Sequence, residues 1–277
     1  TYTTITNEKD LILQNKILEV LNDKGIRTAL TNRVDCEYHY IIDSFQSYIE
    51  QGCKSKLAQI AKEKDNAFAI LNFPPMPSFV KNDKFESNVT GKFDMALVAD
   101  KSKGFSLASE NTGASWCAYY TGVTFSDGTL KQTVPSAALV SNLFMEKWGP
   151  RQPCYIVAGP NYGRIAYDGL VGPDYNYGRT DLDVLEPMGV NAIIYVPRKG
   201  TYINSNQTAK QNPVSALSKV HVRELVIFLQ NEIESMLQSY QWELNTQALR
   251  DTIKAKADAI CETIKNNGGI YDFKIFC

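Results

Sequence analysis

Hydrophobic positions with helical spacing define three candidate helices in the first half of the chain. The first helix follows Asn7, a residue type that often caps helices, and ends at Asp23-Lys24-Gly25. The second is centred on residues 57–61, and the third is opened by Pro135-Ser136 and closed by Gly149-Pro150. The apolar positions that carry these helices are Leu13, Ile17, Val20, Leu21, Leu57, Ile60, Ala61, Val140, Leu143, Phe144 and Trp148.

Short, continuous apolar runs lie between these helices. They occupy residues 38–42, 67–71, 95–99, 155–158 and 193–196. Such runs are typical of strands that are covered on both faces, because a strand with one solvated face alternates instead. The pattern therefore predicts a mixed α/β fold (α+β in part) in which helices flank the sheets.

A stretch without apolar periodicity divides the chain. Residues 159–181 are dense in Gly, Tyr and Asp, which favours turns, and we place a domain boundary near residue 186. The two predicted domains are 1–185, a middle or outer region, and 186–277. The second contains a strand at 191–196, helices at 215–240 and 246–266, and a final strand at 270–276.

The last helix and strand are both amphipathic. The helix places Leu249, Ile253, Ala257, Ile260 and Ile264 on one stripe, and charged residues occupy its other face. In the strand, Tyr271, Phe273 and Ile275 alternate with Asp272 and Lys274, which predicts a half-buried strand.

Charge and cysteine content exclude several classes of protein. Lys and Arg number 29 and Asp and Glu number 30, so the net charge of −1 argues against a nucleic-acid binder and a polybasic membrane anchor. The six cysteines include no C-x-x-C pair, which leaves no zinc ribbon and favours reduced thiols in a cytoplasmic setting. No apolar run reaches 18 residues, so we expect no membrane insertion.

A search for catalytic chemistry finds weak candidates. The two histidines, His39 and His221, lack an acid or nucleophile at a diagnostic spacing, which favours structural roles. Ser78 and Lys81 match a bare S-x-x-K pattern without its companion motifs, and a hydrolase using this pair stays as an alternative.

The acidic residues and tyrosines of the loops do not indicate a particular reaction. The acids are best interpreted as caps of turns. The tyrosines are best interpreted as part of a packed loop or a protein interface, and the alternative for them is stacking on bases or sugars. These residues are Asp181, Asp183, Glu186, Tyr162, Tyr167, Tyr175 and Tyr177. The residues thus indicate no enzyme and no cofactor, and leave binding or assembly.

Four segments in a fixed order resemble one family. They are LEPMGVNAIIYV at 185–196, LSKVHVRELVIFL at 217–229, WELN at 242–245 and GGIYDF at 268–273. Together they resemble the contractile tail sheath proteins of myovirus-type bacteriophages, and more distantly the pyocin and type VI secretion sheaths. The likeness is looser upstream, where VPSA at 134–137 is similar to the entry of a sheath helix.

The resemblance implies a structural role. Sheath subunits stack as hexameric rings around a tail tube, and contraction of the resulting helical polymer drives the tube through the host envelope. The implied partners are further copies of the chain, the tube protein, and baseplate and tail terminator proteins. The implied location is the virion, after assembly in the host cytoplasm. A bacterial contractile injection system is the alternative.

The resemblance also implies two contact sites. The charged face of helix 246–266 is the candidate for contact with the tube, through Arg250, Asp251, Lys254, Lys256, Asp258, Glu262 and Lys265. A solvated face with ion pairs such as Lys254–Asp258 is the alternative. Tyr271, Phe273 and Ile275 are candidates for strand pairing with a neighbouring subunit. We recognise no extended terminal arm, so we expect a trimmed fragment that is monomeric.

Overall fold

A parallel sheet of four strands lies at the centre of the fold. The computed structural model describes residues 8–33, 36–44, 51–73, 113–148, 153–211 and 213–276. The strand order is β1 (Tyr40–Ile42), β2 (Phe68–Asn72), β3 (Cys117–Tyr120) and β7 (Val190–Asn191). All five residues of β2 are buried, which is typical of a central parallel strand covered on both faces.

Helices from the first 150 residues of the chain pack on or beside this sheet. These helices are α1 (Glu8–Asn22), α2 (Lys24–Thr31), α3 (Gln51–Lys64) and α4 (Ala137–Trp148). Both α3 and α4 contact β2, and α1 and α2 lie against α3. The core includes Phe144 and Trp148 of α4, whose rings stack with their centroids 4.4 Å apart.

The remaining named strands form two smaller antiparallel units. One is a three-stranded sheet in which β4 (Val123–Ser126) lies between β5 (Lys131–Val134) and β6 (Leu170–Pro173). The other is a hairpin of β8 (Ile193–Val196) and β9 (Gly200–Ile203). Two short helices, α5 (Gly159–Tyr162) and α6 (Arg179–Leu185), flank these units in sequence.

Two long helices end the chain. They are α7 (Val220–Gln238) and α8 (Gln247–Asn266), and they contact each other. Their bounds lie close to the predicted ranges 215–240 and 246–266. Among the described helices, none combines the length and the hydrophobicity that crossing a lipid bilayer requires.

The predicted α/β class is confirmed, but several predicted elements are wrong. Residues 155–158 form no strand, because Ile156 is about half exposed and Tyr155 instead stacks on Tyr162. The stop predicted at Asp23 is also the start of α2, since the Asp23 carboxylate accepts a hydrogen bond from the Ile26 N–H. Residues 159–181 contain α5, β6 and the start of α6 rather than turns alone.

The domain boundary near residue 186 stays a prediction. Strand β7 follows that position and pairs with β3, which precedes it. One hydrophobic core includes residues from both sides of residue 186. The predicted strand at 95–99 lies outside the described residues.

Candidate assembly surfaces

A seam of polar contacts fastens α7 to the first half of the chain. His39 Nε2 lies 2.7 Å from Glu224 Oε2, and Arg33 Nη1 lies 2.6 Å from Glu234 Oε2. Between them, Gln230 Nε2 lies 3.5 Å from Asp65 Oδ2. At about 100° per residue, these three positions of α7 fall within about a third of the helix circumference. We call these three contacts the α7 seam.

The first turns of α7 are also anchored by Arg223. Its Nε donates a 3.0 Å hydrogen bond to the Ser115 carbonyl oxygen, and its guanidinium lies 4.1 Å from the centre of the Trp116 ring. Val220 and Ile227 are completely buried beside it. These contacts hold the start of α7 against the core, whereas its distal half has exposed positions such as Leu237.

Burial and the carboxylate of Glu224 shape the titration of the groups around it. Burial by itself lowers the pKa of His39, but the hydrogen bond and negative charge of Glu224 outweigh it and raise that pKa above 6.5. Burial, and then the Glu224 charge, raise the pKa of Tyr40 and Tyr120. The sequence favoured a structural role for His39 but gave no sign of its partner, which lies 185 positions away.

The apolar stripe of α8 is packed over only part of its length. Ala257 and Ile264, both predicted for the stripe, are buried, and so is Cys261. The predicted residues Leu249, Ile253 and Ile260 are half-buried. The amino-terminal half of α8 therefore extends away from the core.

The connection between α7 and α8 exposes large apolar side chains. Trp242 is 92 % exposed and Leu244 is 82 % exposed. The connection is nonetheless ordered by hydrogen bonds, from the Glu243 N–H to the Tyr240 carbonyl and from the Leu249 N–H to the Thr246 hydroxyl. Exposed apolar groups on such an ordered connection are typical of interaction surfaces.

Six of the seven predicted tube-facing residues share one face of α8. At about 100° per residue, Arg250, Asp251, Lys254, Asp258, Glu262 and Lys265 fall within about a third of the helix circumference. Lys256 is on a different face, where its ammonium lies 5.0 Å from the Tyr240 ring. We call these six residues the α8 charged face; it carries three positive and three negative groups.

Few of these charges have a partner of opposite charge among the residues that the structure describes. Lys265 Nζ lies 3.2 Å from Asp272 Oδ1, and Gln247 Nε2 donates a 2.9 Å hydrogen bond to Asp251. In the part of the chain that the structure describes, Lys254 and Asp258 form no ion pair. The alternative interpretation, a solvated face with a Lys254–Asp258 pair, therefore lacks that contact.

A glycine turn redirects the chain after α8. The Gly268 N–H bonds to the Lys265 carbonyl and the Gly269 N–H to the Ile264 carbonyl, both at 2.9 Å, and Gly268 has a φ of 79°. This pattern is the Schellman motif, which favours glycine because a side chain is strained at positive φ. A Cβ at residue 269 would also lie 2.6 Å from Cys154 Sγ, so the turn packs tightly on the loop at Cys154.

The predicted strand at 270–276 is wrong as an intramolecular element. Residues 272–276 have no strand assignment, and Tyr271 is 97 % and Phe276 79 % exposed. Phe273 and Ile275 are half-buried, and Lys265 lies 5.7 Å from the Phe273 ring. The alternation of side chains is suited to a strand, but no other described segment pairs with this one.

Among the candidate catalytic residues that the structure describes, the contacts are those of structural roles. Ser78 and Lys81 lie outside the described residues. Asp181 accepts a hydrogen bond from the Gly178 N–H at the start of α6, as expected for a turn-capping acid, and His221 Nδ1 lies 2.6 Å from Asn206 Nδ2. Within the described ranges, no group of three or more His, Cys, Asp or Glu residues is arranged to hold a metal ion.

Two of the four tyrosines, Tyr175 and Tyr177, meet edge to face with their ring centroids 5.3 Å apart. Tyr177 is buried and donates a hydrogen bond to Asp174, whereas Tyr162 stacks on Tyr155. The Tyr167 hydroxyl accepts a hydrogen bond from Asn142. Their arrangement is that of packed loops.

Comparison with known proteins finds contractile sheath proteins. The chain is 29 % identical over 144 residues to the tail sheath protein of Vibrio phage KVP40, a match that covers 52 % of this chain and 21 % of the phage protein. No protein-family model matches the chain. The chain thus spans about a fifth of the length of the curated relative that it matches.

Solved structures show the same fold. A protein of the anti-feeding prophage baseplate in its contracted state has a TM-score of 0.72 at 13 % identity, covering 97 % of this chain and 66 % of that one. The PVC sheath complex in its contracted state gives a TM-score of 0.67 at 14 % identity, with coverages of 96 % and 67 %. A sheath tail protein from Desulfitobacterium hafniense gives 0.58 at 10 % identity, with coverages of 88 % and 49 %.

These matches define the class of fold. The chain has the tail sheath fold, and the resemblance that the sequence motifs indicated is confirmed. The relatives are sheath proteins of a phage and of extracellular contractile systems.

Proposed function

We propose that this protein is a structural subunit of a contractile sheath. The observation that carries the proposal is the 144-residue match to a phage tail sheath protein. The match of the fold to sheath subunits over 96 % of the chain supports it. The subunit would stack with copies of itself as hexameric rings around a tail tube, and contraction of the polymer would drive the tube through a cell envelope.

A mechanical role without catalysis is consistent with the surfaces of the molecule. The described residues present charged and apolar contact surfaces, whereas a hydrolase would need a built site around a nucleophile. Burial of about 400 Å² of additional apolar area per subunit during contraction would release about 10 kcal/mol before opposing terms. Such a change, summed over many subunits, needs no nucleotide and no cofactor.

The α8 charged face is our candidate for contact with the tube. Its three positive and three negative groups are matched in number, and most lack partners of opposite charge on α8 itself. Charge complementarity of this kind sets register and specificity more than affinity. A mixed face would hold the tube in one register without binding it irreversibly.

Residues 270–276 are our candidate for strand pairing between subunits. These residues alternate in side-chain type, and Tyr271 is almost fully exposed. Addition of such a segment to the edge of a neighbouring sheet would satisfy its backbone groups and cover Tyr271, Phe273 and Ile275. The Schellman turn fixes the direction in which this segment leaves α8.

A phage tail is the first candidate for the assembly that contains this subunit. The protein would then lie in the virion, after assembly in the host cytoplasm, and its further partners would be baseplate and tail terminator proteins. The phage relative favours this choice. A bacterial contractile injection system is the second candidate, because the structural neighbours include the anti-feeding prophage and PVC sheaths. The genes beside the coding sequence distinguish the two.

Cryo-electron microscopy of particles from cells that make this protein tests the proposal. We expect every subunit of the sheath to show density for the four-stranded sheet and for the α7–α8 pair. A sheath built from a different chain, or the presence of this protein outside any tubular particle, would overturn it.

A proline substitution tests the strand-pairing site within the same particles. Phe273→Pro removes one backbone donor from the segment and should abolish sheath assembly, because proline cannot donate to a strand ladder. Phe273→Tyr keeps the donor and an aromatic ring and should assemble normally. Equal assembly by both variants would exclude pairing at this position.

A further inference from the structure

The contact between His39 and Glu224 joins a buried carboxylate to a partly exposed imidazole. The Glu224 side chain is 1 % exposed and that of His39 is 39 % exposed. Glu224 Oε2 lies 2.7 Å from His39 Nε2, whereas Glu224 Oε1 is buried and finds no hydrogen-bond partner within the described ranges. Among the described residues, His39 is the group that forms an ion pair with Glu224.

The other titratable groups around this contact leave Glu224 dependent on His39. Tyr40 of β1 and Tyr120 of β3 are uncharged phenols whose pKa is raised, and Arg223 of α7 is directed at Ser115 and Trp116. Several other charged groups of the adjoining elements have contacts of their own. Lys64 of α3 donates a hydrogen bond to the Cys36 carbonyl, and Arg33 forms ion pairs with Asp65 and Glu234. Lys256 of α8 lies over the Tyr240 ring. The charge of Glu37 interacts with Lys64, and that of Lys219 with His221.

Deprotonation of His39 changes the energy of the buried carboxylate. A protonated imidazole gives Glu224 both a hydrogen bond and a compensating positive charge, so that the two groups form an ion pair. A neutral imidazole can still donate from Nε2, but it leaves the negative charge uncompensated in a site that excludes water. Release of the first turns of α7 would return the carboxylate to solvent.

We propose that the His39–Glu224 contact is a pH-sensitive latch, which holds the start of α7 against the central sheet while His39 is protonated. The folded state raises the pKa of His39 above its ordinary 6.5. A group of this kind contributes its full stabilisation below pH 6.5, and the stabilisation is lost as the pH rises through the raised pKa. The latch therefore opens on the alkaline side.

Hydrogen exchange of the full chain measures the latch directly. Amide exchange in residues 220–230 is followed at pH 6 and pH 8.5, with the intrinsic pH dependence of exchange removed and with α4 as the internal reference. We expect the protection of the α7 peptides, relative to α4, to fall about threefold or more at the higher pH.

The second histidine supplies a matched control. His39→Gln should expose the α7 peptides at pH 6 as much as the wild type at pH 8.5, and should remove the pH dependence. His221→Gln alters the same helix turn and should keep that dependence, because His221 contacts Asn206 rather than a carboxylate. A pH dependence that survives His39→Gln, or one that His221→Gln abolishes, overturns the latch.

A measurement on the wild-type chain applies even if His39→Gln does not fold. The chain has two histidines, so nuclear magnetic resonance should show two imidazole titrations, which the His221→Gln spectrum assigns. The His39 titration should lie above pH 6.5, and its midpoint should coincide with the loss of α7 protection. A His39 midpoint below 6.5, or a midpoint that differs from that of α7 opening, overturns the proposal.

Discussion

Asp43 and Lys54 form an ion pair in which both side chains are completely excluded from solvent. The same carboxylate accepts a 2.9 Å hydrogen bond from the Asn72 N–H, and the Asn72 side chain accepts one from the Ala137 N–H at the start of α4. One buried network thus connects the ends of β1 and β2 with α3 and α4. These are the elements that position the central sheet.

Removal of the positive charge from this network should be severe. Lys54→Met leaves the Asp43 carboxylate buried without its counter-charge, and we expect the free energy of unfolding to fall by about 3–5 kcal/mol. Urea denaturation followed by circular dichroism measures the change. Lys147→Met breaks an exposed pair with Glu146 and should cost less than about 1 kcal/mol. Similar losses in the two variants would contradict the argument.

Alanine substitutions at two glycines with positive φ distinguish the cost of backbone strain from the cost of steric overlap. Gly113 has a φ of 80°, and a Cβ there would lie 2.4 Å from the Ala58 carbonyl oxygen of α3, whereas Gly128 has a φ of 93° and open space around it. Gly128→Ala should cost about 1–2 kcal/mol from strain alone. Gly113→Ala should cost clearly more, because α3 must also move. Thermal unfolding of both variants measures the difference in stability. Equal losses of stability would show that α3 moves away from residue 113 without destabilising the fold.

Alkaline pH should destabilise the fold through its buried phenols. Burial, and to a smaller extent the nearby Cys36, raise the pKa of Tyr38 to about 12. The folded state therefore favours the protonated phenol, and its stabilisation is lost as the pH rises from the ordinary value of 10 toward 12.

The variant Tyr38→Phe tests this effect. It loses the hydrogen bond to the Leu30 carbonyl and should be less stable at pH 7 by about 1 kcal/mol. The difference from the wild type should shrink between pH 10 and 12, since the variant has no phenol there to ionise. Urea midpoints across that range measure it, with Tyr271→Phe as an exposed control; a constant difference would refute the effect.

The α8 charged face gives a prediction with a control on the same helix. Lys254→Glu reverses a charge on that face, whereas Lys256→Glu reverses one that lies over Tyr240. If the face contacts the tube, Lys254→Glu should reduce the number of assembled particles about tenfold or more, because like charges opposed across an interface cost several kcal/mol. Lys256→Glu should assemble. Particle counts by electron microscopy decide, and a stronger defect in Lys256→Glu would place the contact elsewhere.

The sequence predicted those features that depend on local periodicity. Helices α7 and α8 were predicted to within a few residues because their apolar positions recur over many turns. Short segments were less certain: residues 155–158 have the composition of a strand, but they form none, since Ile156 is exposed and Trp148 donates to the Tyr155 carbonyl. A hydrophobic run of four residues does not specify its partners.

The contact surfaces were predictable only in part. The charged face of α8 follows from helix geometry, and only Lys256 falls elsewhere. The α7 seam depends on residues from distant positions, such as Arg33 with Glu234, which no local pattern connects. Residues 270–276 have the alternation of a strand, but the described segments offer them no neighbouring strand, and pairing is a property of two segments rather than one.

Strands β7 and β8 are separated by Ala192 alone, so one short run of backbone belongs to two different sheets. Thr121 connects them further: its N–H bonds to the Asn191 carbonyl and its hydroxyl accepts from the Ile193 N–H. A mechanical load applied to the β8–β9 hairpin would therefore reach the central sheet both through Ala192 and through hydrogen bonds, such as those of Thr121 and the bond from the Gln207 N–H to the Asn191 side chain. With such short connections, a force on the hairpin would displace the hairpin and the central sheet together rather than stretch a loop between them.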